Sequence, residues 1–267
     1  MKDLIIRNCN LGKNEKTNIL IKNGIIEDIN ENIPQIGCSE LDAENYFVTS
    51  PFIDSHFHMD ATLSYGLPRV NKSGTLLEGI QLWGELKPCL TKEAIKNRAR
   101  KLCKWAIAKG TLAIRSHVDI TDPSLLAVEA MLDIKNEFRA WLDLQLVAFP
   151  QDGLIRSNSR SNLKRALDLG VEVVGGIPHF ERTMDEGKES IKYLCELAAA
   201  KGLQVDMHCD ESDDPMSRHI EELTKETMRL GLEGKVAGSH LTSMHSMDNY
   251  YVSKLLPLMC EAEISVI

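Results

Sequence analysis

The stretch Val48-Thr49-Ser50-Pro51-Phe52-Ile53-Asp54-Ser55-His56-Phe57-His58-Met59-Asp60 ends an apolar, β-prone run with two histidines one residue apart. Residues two apart in an extended chain project to the same face, so His56 and His58 can hold one cation from one side. We expect the pair to lie at the end of a buried strand. The spacing alone is a weak signal, and two solvated histidines on a polar strand end are the alternative interpretation.

Strands and helices alternate regularly from Tyr46 onward. After the strand that leads to His56, the pattern predicts strands at 111–119, 141–149, 171–177, 203–207, 235–239 and 264–267. It predicts helices at 124–138, 161–169, 189–200, 216–230 and 249–261. Such alternation is typical of parallel strands joined by crossover helices.

These elements predict an α/β fold, a TIM-type (β/α)8 barrel whose chemistry lies at the carboxyl ends of its strands. A doubly wound open sheet is the alternative, because alternation does not show closure. Seven strands are visible, so we expect residues 46–267 to form a barrel that is incomplete at the C-terminus and lacks its last strand. The β-rich pattern of residues 1–45 predicts a small N-terminal β unit, which would be half of a β-sandwich, with a tight turn at 22–24.

Composition excludes several classes of partner. The chain of 267 residues carries a net charge of −8, which argues against nucleic acid or an anionic membrane as the main partner. No signal peptide is visible, and no apolar run approaches the roughly 18 residues that span a bilayer. The seven cysteines form no Cys-x-x-Cys pair. They are read as reduced thiols, and we expect a cytoplasmic protein.

Side chains suited to chemistry follow the predicted strands. They are His56, His58, His117, Gln151, His179, His208, Glu211 and His240. Five different strands would bring imidazole to the same rim of a barrel, whereas histidines of a core would scatter. This concentration predicts a catalytic site for one divalent metal ion, which commonly takes three or four His or carboxylate ligands.

We select His56, His58 and His208 as metal ligands and expect a carboxylate as the fourth. Glu211 lies three residues after His208 and suits a general acid/base that moves a proton from water to substrate. Its alternative role is a carboxylate at a helix N-terminus. His240 could polarise the substrate or hold the attacking hydroxide, and helix capping is its alternative.

Gln151 offers a donor and an acceptor, which suits the edge of an amide-like ring, and His179 is expected to line the substrate pocket. His117 is a candidate for orienting the metal ligands from behind, with Asp119 orienting a neighbouring group.

His219 and His245 lie on or beside helices and are predicted to be surface residues. The sequence contains no glycine-rich phosphate loop, no Gly-x-Ser-x-Gly and no Pro-Cys-x-x-Cys.

The chain resembles the amidohydrolase superfamily and, within it, the bacterial cytosine deaminase branch. The resemblance covers nearly everything from residue 46 and rests on several stretches besides His56-Phe57-His58. These are Ser73 to Ile80, Arg115 to Asp119, Asp143 to Gln151, Gly176 to Glu181, His208-Cys209-Asp210-Glu211 and Ser239-His240.

The resemblance implies one iron or zinc ion held by His56, His58, His208 and an aspartate at the end of strand eight. It implies Glu211 as proton shuttle, His240 beside the hydroxide and Gln151 at the pyrimidine edge. It also implies hydrolysis of cytosine to uracil and ammonia, with no nucleic-acid or membrane partner. We expect a homo-oligomer for the full-length protein.

The resemblance also carries an expectation about the C-terminus. Members of the family continue for well over a hundred residues, which include the strand-eight aspartate. We therefore expect the chain as given to bind metal weakly and to show little or no deaminase activity. The alternatives are an aminohydrolase of another heterocycle, such as an s-triazine or a creatinine-like compound, and a non-catalytic remnant or a fragment that requires a partner.

Overall fold

The computed structural model describes residues 3–12 and 16–267. The chain divides into two compact units, Met1–Pro51 and Phe52–Ile267. The more specific division, with half of a β-sandwich at 1–45 and a barrel without its last strand at 46–267, stays a prediction.

The first unit contains a four-stranded sheet with the order β3-β2-β1-β4. Its strands are β1 (Leu4–Asn10), β2 (Lys16–Lys22), β3 (Ile25–Asn30) and β4 (Ser39–Asp42). Asn23 and Gly24 both have positive φ, 50° and 82°, between β2 and β3. Two left-handed residues make the turn whose twist matches that of a hairpin, so the tight turn predicted at 22–24 is confirmed.

The second unit contains a parallel sheet whose seven strands follow the order of the sequence. They are β5 (Phe52–Phe57), β6 (Thr111–Asp119), β7 (Asp143–Phe149), β8 (Val173–Gly176), β9 (Gln204–Cys209), β10 (Val236–His240) and β11 (Ser265–Val266). Because every neighbouring pair is parallel, all carboxyl ends lie at the same edge of the sheet. This curled parallel sheet with crossover helices confirms the α/β class.

Seven α-helices occur in the part of the chain that the structure describes. They are α1 (Leu76–Leu86), α2 (Lys92–Ala108), α3 (Leu126–Phe138), α4 (Arg160–Asp168), α5 (Met184–Lys201), α6 (His219–Leu230) and α7 (Asn249–Glu261). The five helices predicted after residue 120 correspond to α3 through α7, with boundaries that differ by up to five residues. Helices α1 and α2 lie where the pattern predicts no element.

The core of the second unit lies between the sheet and its crossover helices. Fully buried side chains include Leu146 on β7, Val205 on β9, Ile134 on α3 and Leu194 on α5. Strands buried on both faces need nearly continuous apolar sequence, which the interior strands have.

His56 and His58 lie at the end of a strand as expected, but the expectation that this strand is buried is wrong. Phe52 is 62% and Ile53 is 74% exposed. Both belong to β5, which lies at one edge of the sheet and pairs only with β6 among the described strands. The apolar side chains that precede the two histidines therefore contribute little to the core.

None of the helices within the described ranges is both long enough and apolar enough to cross a membrane. All seven cysteines are free.

Candidate functional site

The carboxyl ends of β5 through β10 bring the chemically functional side chains together. His56 lies on β5 and His58 directly follows it, while His208 lies on β9 and His240 ends β10. Gln151, His179 and Glu211 lie in the connections that leave β7, β8 and β9. All seven line one cavity of about 610 Å³. This volume lies within the range of small-molecule sites.

Four histidines form a compact cluster at this edge of the sheet. One ligand nitrogen from each of His56, His58, His117 and His208 lies within 4.8 Å of the other three. His58 Nε2 and His208 Nε2 are 2.9 Å apart. His208 also stacks on Phe149, with ring centroids 4.2 Å apart, so its ring is held against an apolar wall.

The environment keeps three of these rings uncharged, those of His56, His58 and His208. Burial, and then the neighbouring His117, lower the pKa of His56 to about 4. The same causes hold the pKa values of His58 and His208 well below the ordinary histidine value. Neutral imidazole is the form that binds a metal ion, because a protonated ring has no free lone pair.

The donor set fits a divalent cation. His56 Nε2 is buried and has no hydrogen-bond partner. The Nε2 atoms of His58 and His208 lie 2.9 Å apart, close enough for one cation to contact both. A buried lone pair without a donor costs free energy that a cation would recover. His56, His58 and His208 could therefore hold a metal ion, and His117 lies close enough to be a further candidate.

Glu211 and His240 face one another beside the histidines. Glu211 Oε2 lies 3.8 Å from His240 Nε2. Burial raises the pKa of Glu211 and lowers that of His240. Both shifts favour the uncharged forms, so the Glu211 carboxyl is a better proton acceptor than an exposed one and the His240 ring is held neutral.

The backbone around these two residues is fixed by hydrogen bonds between loops. Asp210 and His240 have positive φ, 54° and 77°. The amide of Leu241 donates to the Cys209 carbonyl at 3.1 Å, and the amide of Ser243 donates to the Asp210 carbonyl at 3.0 Å. These bonds hold the loop after β9 against the loop after β10, which sets the spacing of Glu211 and His240.

Sequence reasoning assigned no role to Asp60, a buried carboxylate that lines the same cavity. Its Oδ2 accepts from the Asp119 amide at 2.9 Å, and its Oδ1 accepts from the Ala61 amide at 2.9 Å. Burial raises the pKa of Asp60 to about 7. Its position two residues after His58 was the available signal. The chain turns after Phe57, however, so the alternation of an extended strand does not continue to it.

Helix α1 supplies an apolar wall that the sequence pattern did not reveal. Leu76, Leu77, Ile80 and Trp83 line the cavity from this helix. Trp83 Nε1 donates to Asp119 Oδ2 at 2.7 Å, which holds the indole ring in place. The predicted role of Asp119 in orienting a group of the metal site stays a prediction. The signal for α1 was a Thr-x-x-Glu pattern before an apolar run, since Thr75 Oγ1 accepts from the amide of Glu78 at 3.2 Å.

The prediction that His219 is a surface residue is wrong. His219 is 3% exposed, and its Nδ1 lies 2.9 Å from Asp210 Oδ1. Asp210 also accepts from the backbone amides of His219 and Ile220, so this carboxylate caps the start of α6. The same carboxylate holds the His219 ring in the buried position. His245, by contrast, is exposed as predicted.

A parallel α/β sheet with a histidine cluster at the carboxyl ends of its strands defines a barrel-type protein with a candidate metal centre. The chain belongs to the amidohydrolase family, whose model matches residues 39–267. The resemblance drawn from the sequence motifs is therefore confirmed.

Three similar proteins have names that refer to three different heterocyclic compounds. The 5-methylcytosine deaminase from Klebsiella pneumoniae, solved with 5-fluorocytosine, is 41% identical with a TM-score of 0.93 over 98% of this chain and 64% of that one. The N-isopropylammelide isopropyl amidohydrolase of Pseudomonas sp. strain ADP is 28% identical over 96% of this chain and 65% of its own length. The pterin deaminase of Rhizobium rhizogenes strain K84 is 24% identical over 94% and 58%.

The chain spans about two thirds or less of the length of these three relatives. The similarity to the deaminase supports the cytosine deaminase branch of the superfamily.

Proposed function

We propose that the whole protein containing this chain is a metal-dependent hydrolase that removes the exocyclic amino group of a cytosine ring, giving uracil and ammonia from cytosine itself. The observation that carries the proposal is the convergence of His56, His58, His208, Glu211 and His240 on one cavity. The 41% identity with a 5-methylcytosine deaminase supports the cytosine ring as substrate.

In this proposal His56, His58 and His208 hold one divalent ion, Fe²⁺ or Zn²⁺. Their neutral rings and the unpartnered His56 Nε2 support this role. When bound, such an ion supplies a Lewis acid that makes water a nucleophile near neutral pH.

Glu211 moves the proton. Its carboxylate takes a proton from the attacking water and delivers it to the leaving amino group. The bond from the ring carbon to the amino nitrogen breaks and ammonia leaves. The water oxygen gives its second proton to the ring nitrogen beside that carbon and becomes the carbonyl of the product. The pKa of Glu211, raised by burial, supports a group that can both accept and release this proton. In this proposal His240, whose Nε2 lies 3.8 Å from Glu211 Oε2, holds the attacking oxygen.

Gln151 and His179 bind the ring in this proposal. The Gln151 side chain offers an amide N–H and a carbonyl oxygen, which match the adjacent donor and acceptor of a cytosine edge. Burial lowers the pKa of His179 to about 4, so its ring meets the substrate uncharged. The apolar wall from α1 supports exclusion of bulk water from the opposite side.

A second candidate is hydrolysis of an N-alkylated s-triazine. The relative from Pseudomonas is named for an N-isopropyl compound. The wall formed by Leu76, Leu77, Ile80 and Trp83 favours an alkyl substituent, since it would bury that group against apolar surface.

The test is product release by the protein encoded in the complete reading frame that contains this sequence, loaded with Fe²⁺ or Zn²⁺. The substrates are cytosine, 5-methylcytosine, N-isopropylammelide, pterin and creatinine. We expect ammonia from the cytosines and roughly 10²–10⁴-fold less with Glu211→Gln, while His245→Gln keeps wild-type turnover. Isopropylamine release as the main activity would establish the triazine candidate instead. Release from neither class would refute the proposal.

A further inference from the structure

A buried carboxylate lies beneath the histidine cluster. Asp206 is 0% exposed and lies on β9 two residues before His208, so both side chains project to the same face of the strand. Asp206 Oδ1 accepts from Ser239 Oγ at 3.0 Å and lies 3.3 Å from His117 Nε2. Its Oδ2 accepts from the Arg115 guanidinium at 2.9 Å.

Arg115 keeps Asp206 in its charged form. The guanidinium also donates to the side-chain oxygens of Gln145 at 2.7 Å and Gln204 at 2.9 Å, so its orientation is fixed. Arginine is not deprotonated in proteins, and a carboxylate paired with it can only accept hydrogen bonds. Every group that touches Asp206 must therefore be a donor.

This requirement determines where the protons lie on two rings. His117 must carry its proton on Nε2, and the Ser239 hydroxyl must give its proton to Asp206. The Ser239 oxygen is then an acceptor for His56 Nδ1, which lies 3.1 Å away. The ring nitrogens that take no part in these contacts are His56 Nε2 and His117 Nδ1. Both are buried, and neither has a hydrogen-bond partner.

We propose that Asp206 is a positioning residue that sets the tautomers of His56 and His117, acting directly on His117 and through Ser239 on His56. His56 Nε2 is thereby left without a proton, so its lone pair is available before any cation arrives. Outer hydrogen-bond partners of this kind fix the tautomer and orientation of metal-binding histidines, and their loss typically costs 10–100-fold in affinity. The consequence for metal affinity rests on the proposed function, whereas the tautomer assignment does not.

The two contacts predict different effects of two substitutions. Ser239→Ala removes the acceptor for His56 Nδ1 and leaves the bond between Asp206 and His117 intact. Asp206→Asn removes the charge that both rings depend on. Thr227→Val is the matched control, because it removes a buried hydroxyl that donates to the Leu223 carbonyl at 2.7 Å on α6.

The tautomers are measured on the metal-free chain by long-range proton–nitrogen NMR of protein labelled with ¹⁵N-histidine. We expect wild type and Thr227→Val to show a protonated Nδ1 on His56 and a protonated Nε2 on His117. Ser239→Ala should change the His56 pattern alone, and Asp206→Asn should change both. An unchanged His56 pattern in folded Ser239→Ala would overturn the proposal, even if Asp206→Asn failed to fold.

The affinity is measured by competition for Zn²⁺ with a chromophoric chelator. We expect roughly a 10-fold or larger loss of affinity in Ser239→Ala and none in Thr227→Val. A loss without a change of tautomer would show a merely structural role and overturn the proposal. If wild type bound no zinc but the tautomers changed as expected, the proposed metal site would fail and the positioning role of Asp206 would stand.

Discussion

Replacing His179 with glutamine is expected to make the fold less sensitive to acid. His179 lies in the turn Pro178–Phe180, and its Nδ1 is buried without a partner. Burial lowers its pKa from 6.5 to about 4. The unfolded chain therefore takes up a proton on this ring at a higher pH than the folded chain. The stability that His179 contributes is present above pH 6.5 and is lost as the pH falls toward 4.

The magnitude follows from the two pKa values. Each unit of pKa difference corresponds to about 1.36 kcal/mol. Between about pH 7 and about pH 5 the unfolded ring becomes almost fully protonated while the folded ring stays mostly neutral, which lowers the free energy of unfolding by roughly 2 kcal/mol. This is a large fraction of the ~5–15 kcal/mol that stabilises a typical domain.

The assay is urea unfolding of the metal-free protein at these two pH values, for wild type, His179→Gln and His245→Gln. Wild type should lose roughly 2 kcal/mol more than His179→Gln on acidification. The control variant alters an exposed ring and should lose as much as wild type. If wild type and His179→Gln lost the same free energy of unfolding, the account of a buried neutral ring at this position would be refuted.

Two further substitutions test other parts of the structure. Glu211→Gln should lower ammonia release by the complete protein roughly 10²–10⁴-fold, because it removes the proton carrier, while the bound metal measured by mass spectrometry stays at the wild-type level. Gly187→Ala should lower the free energy of unfolding by about 1–3 kcal/mol in urea, because its Cβ would overlap the His219 ring and lie 2.7 Å from the Pro178 carbonyl. Gly84→Ala, which meets nothing within 4 Å, should instead raise it by up to ~1 kcal/mol, and equal effects of the two changes would contradict this.

The parallel sheet and the meeting of its strand ends could be predicted from the sequence because both follow from local pattern. Crossover helices force parallel strands, and parallel strands place His208 and His240 at the same edge as His56. The lining of one cavity by all seven selected side chains agrees with this reasoning. Whether these residues have the assigned roles stays a prediction.

The remaining features depend on contacts between residues distant in the sequence. His219 is buried because Asp210 caps α6 and accepts from its ring, a pairing across nine residues that no periodicity shows. Phe52 is exposed because β5 lies at the edge of the sheet. An apolar run in the sequence does not indicate whether its strand lies at the edge or in the interior. Likewise, the hydrogen bond from Ser239 to Asp206 joins two strands, so neither residue stood out in the sequence.

The proposal depends above all on the binding of one divalent cation by His56, His58 and His208. The decisive measurement is the metal content and X-ray absorption of the purified chain after dialysis to equilibrium against saturating Zn²⁺, which also detects weak binding. We expect about one equivalent of zinc or less, with histidine nitrogens at about 2.0–2.1 Å, and loss of this signal in His208→Ala but not in His245→Ala. Absence of bound zinc in wild type, or an unchanged nitrogen signal in folded His208→Ala, would contradict it.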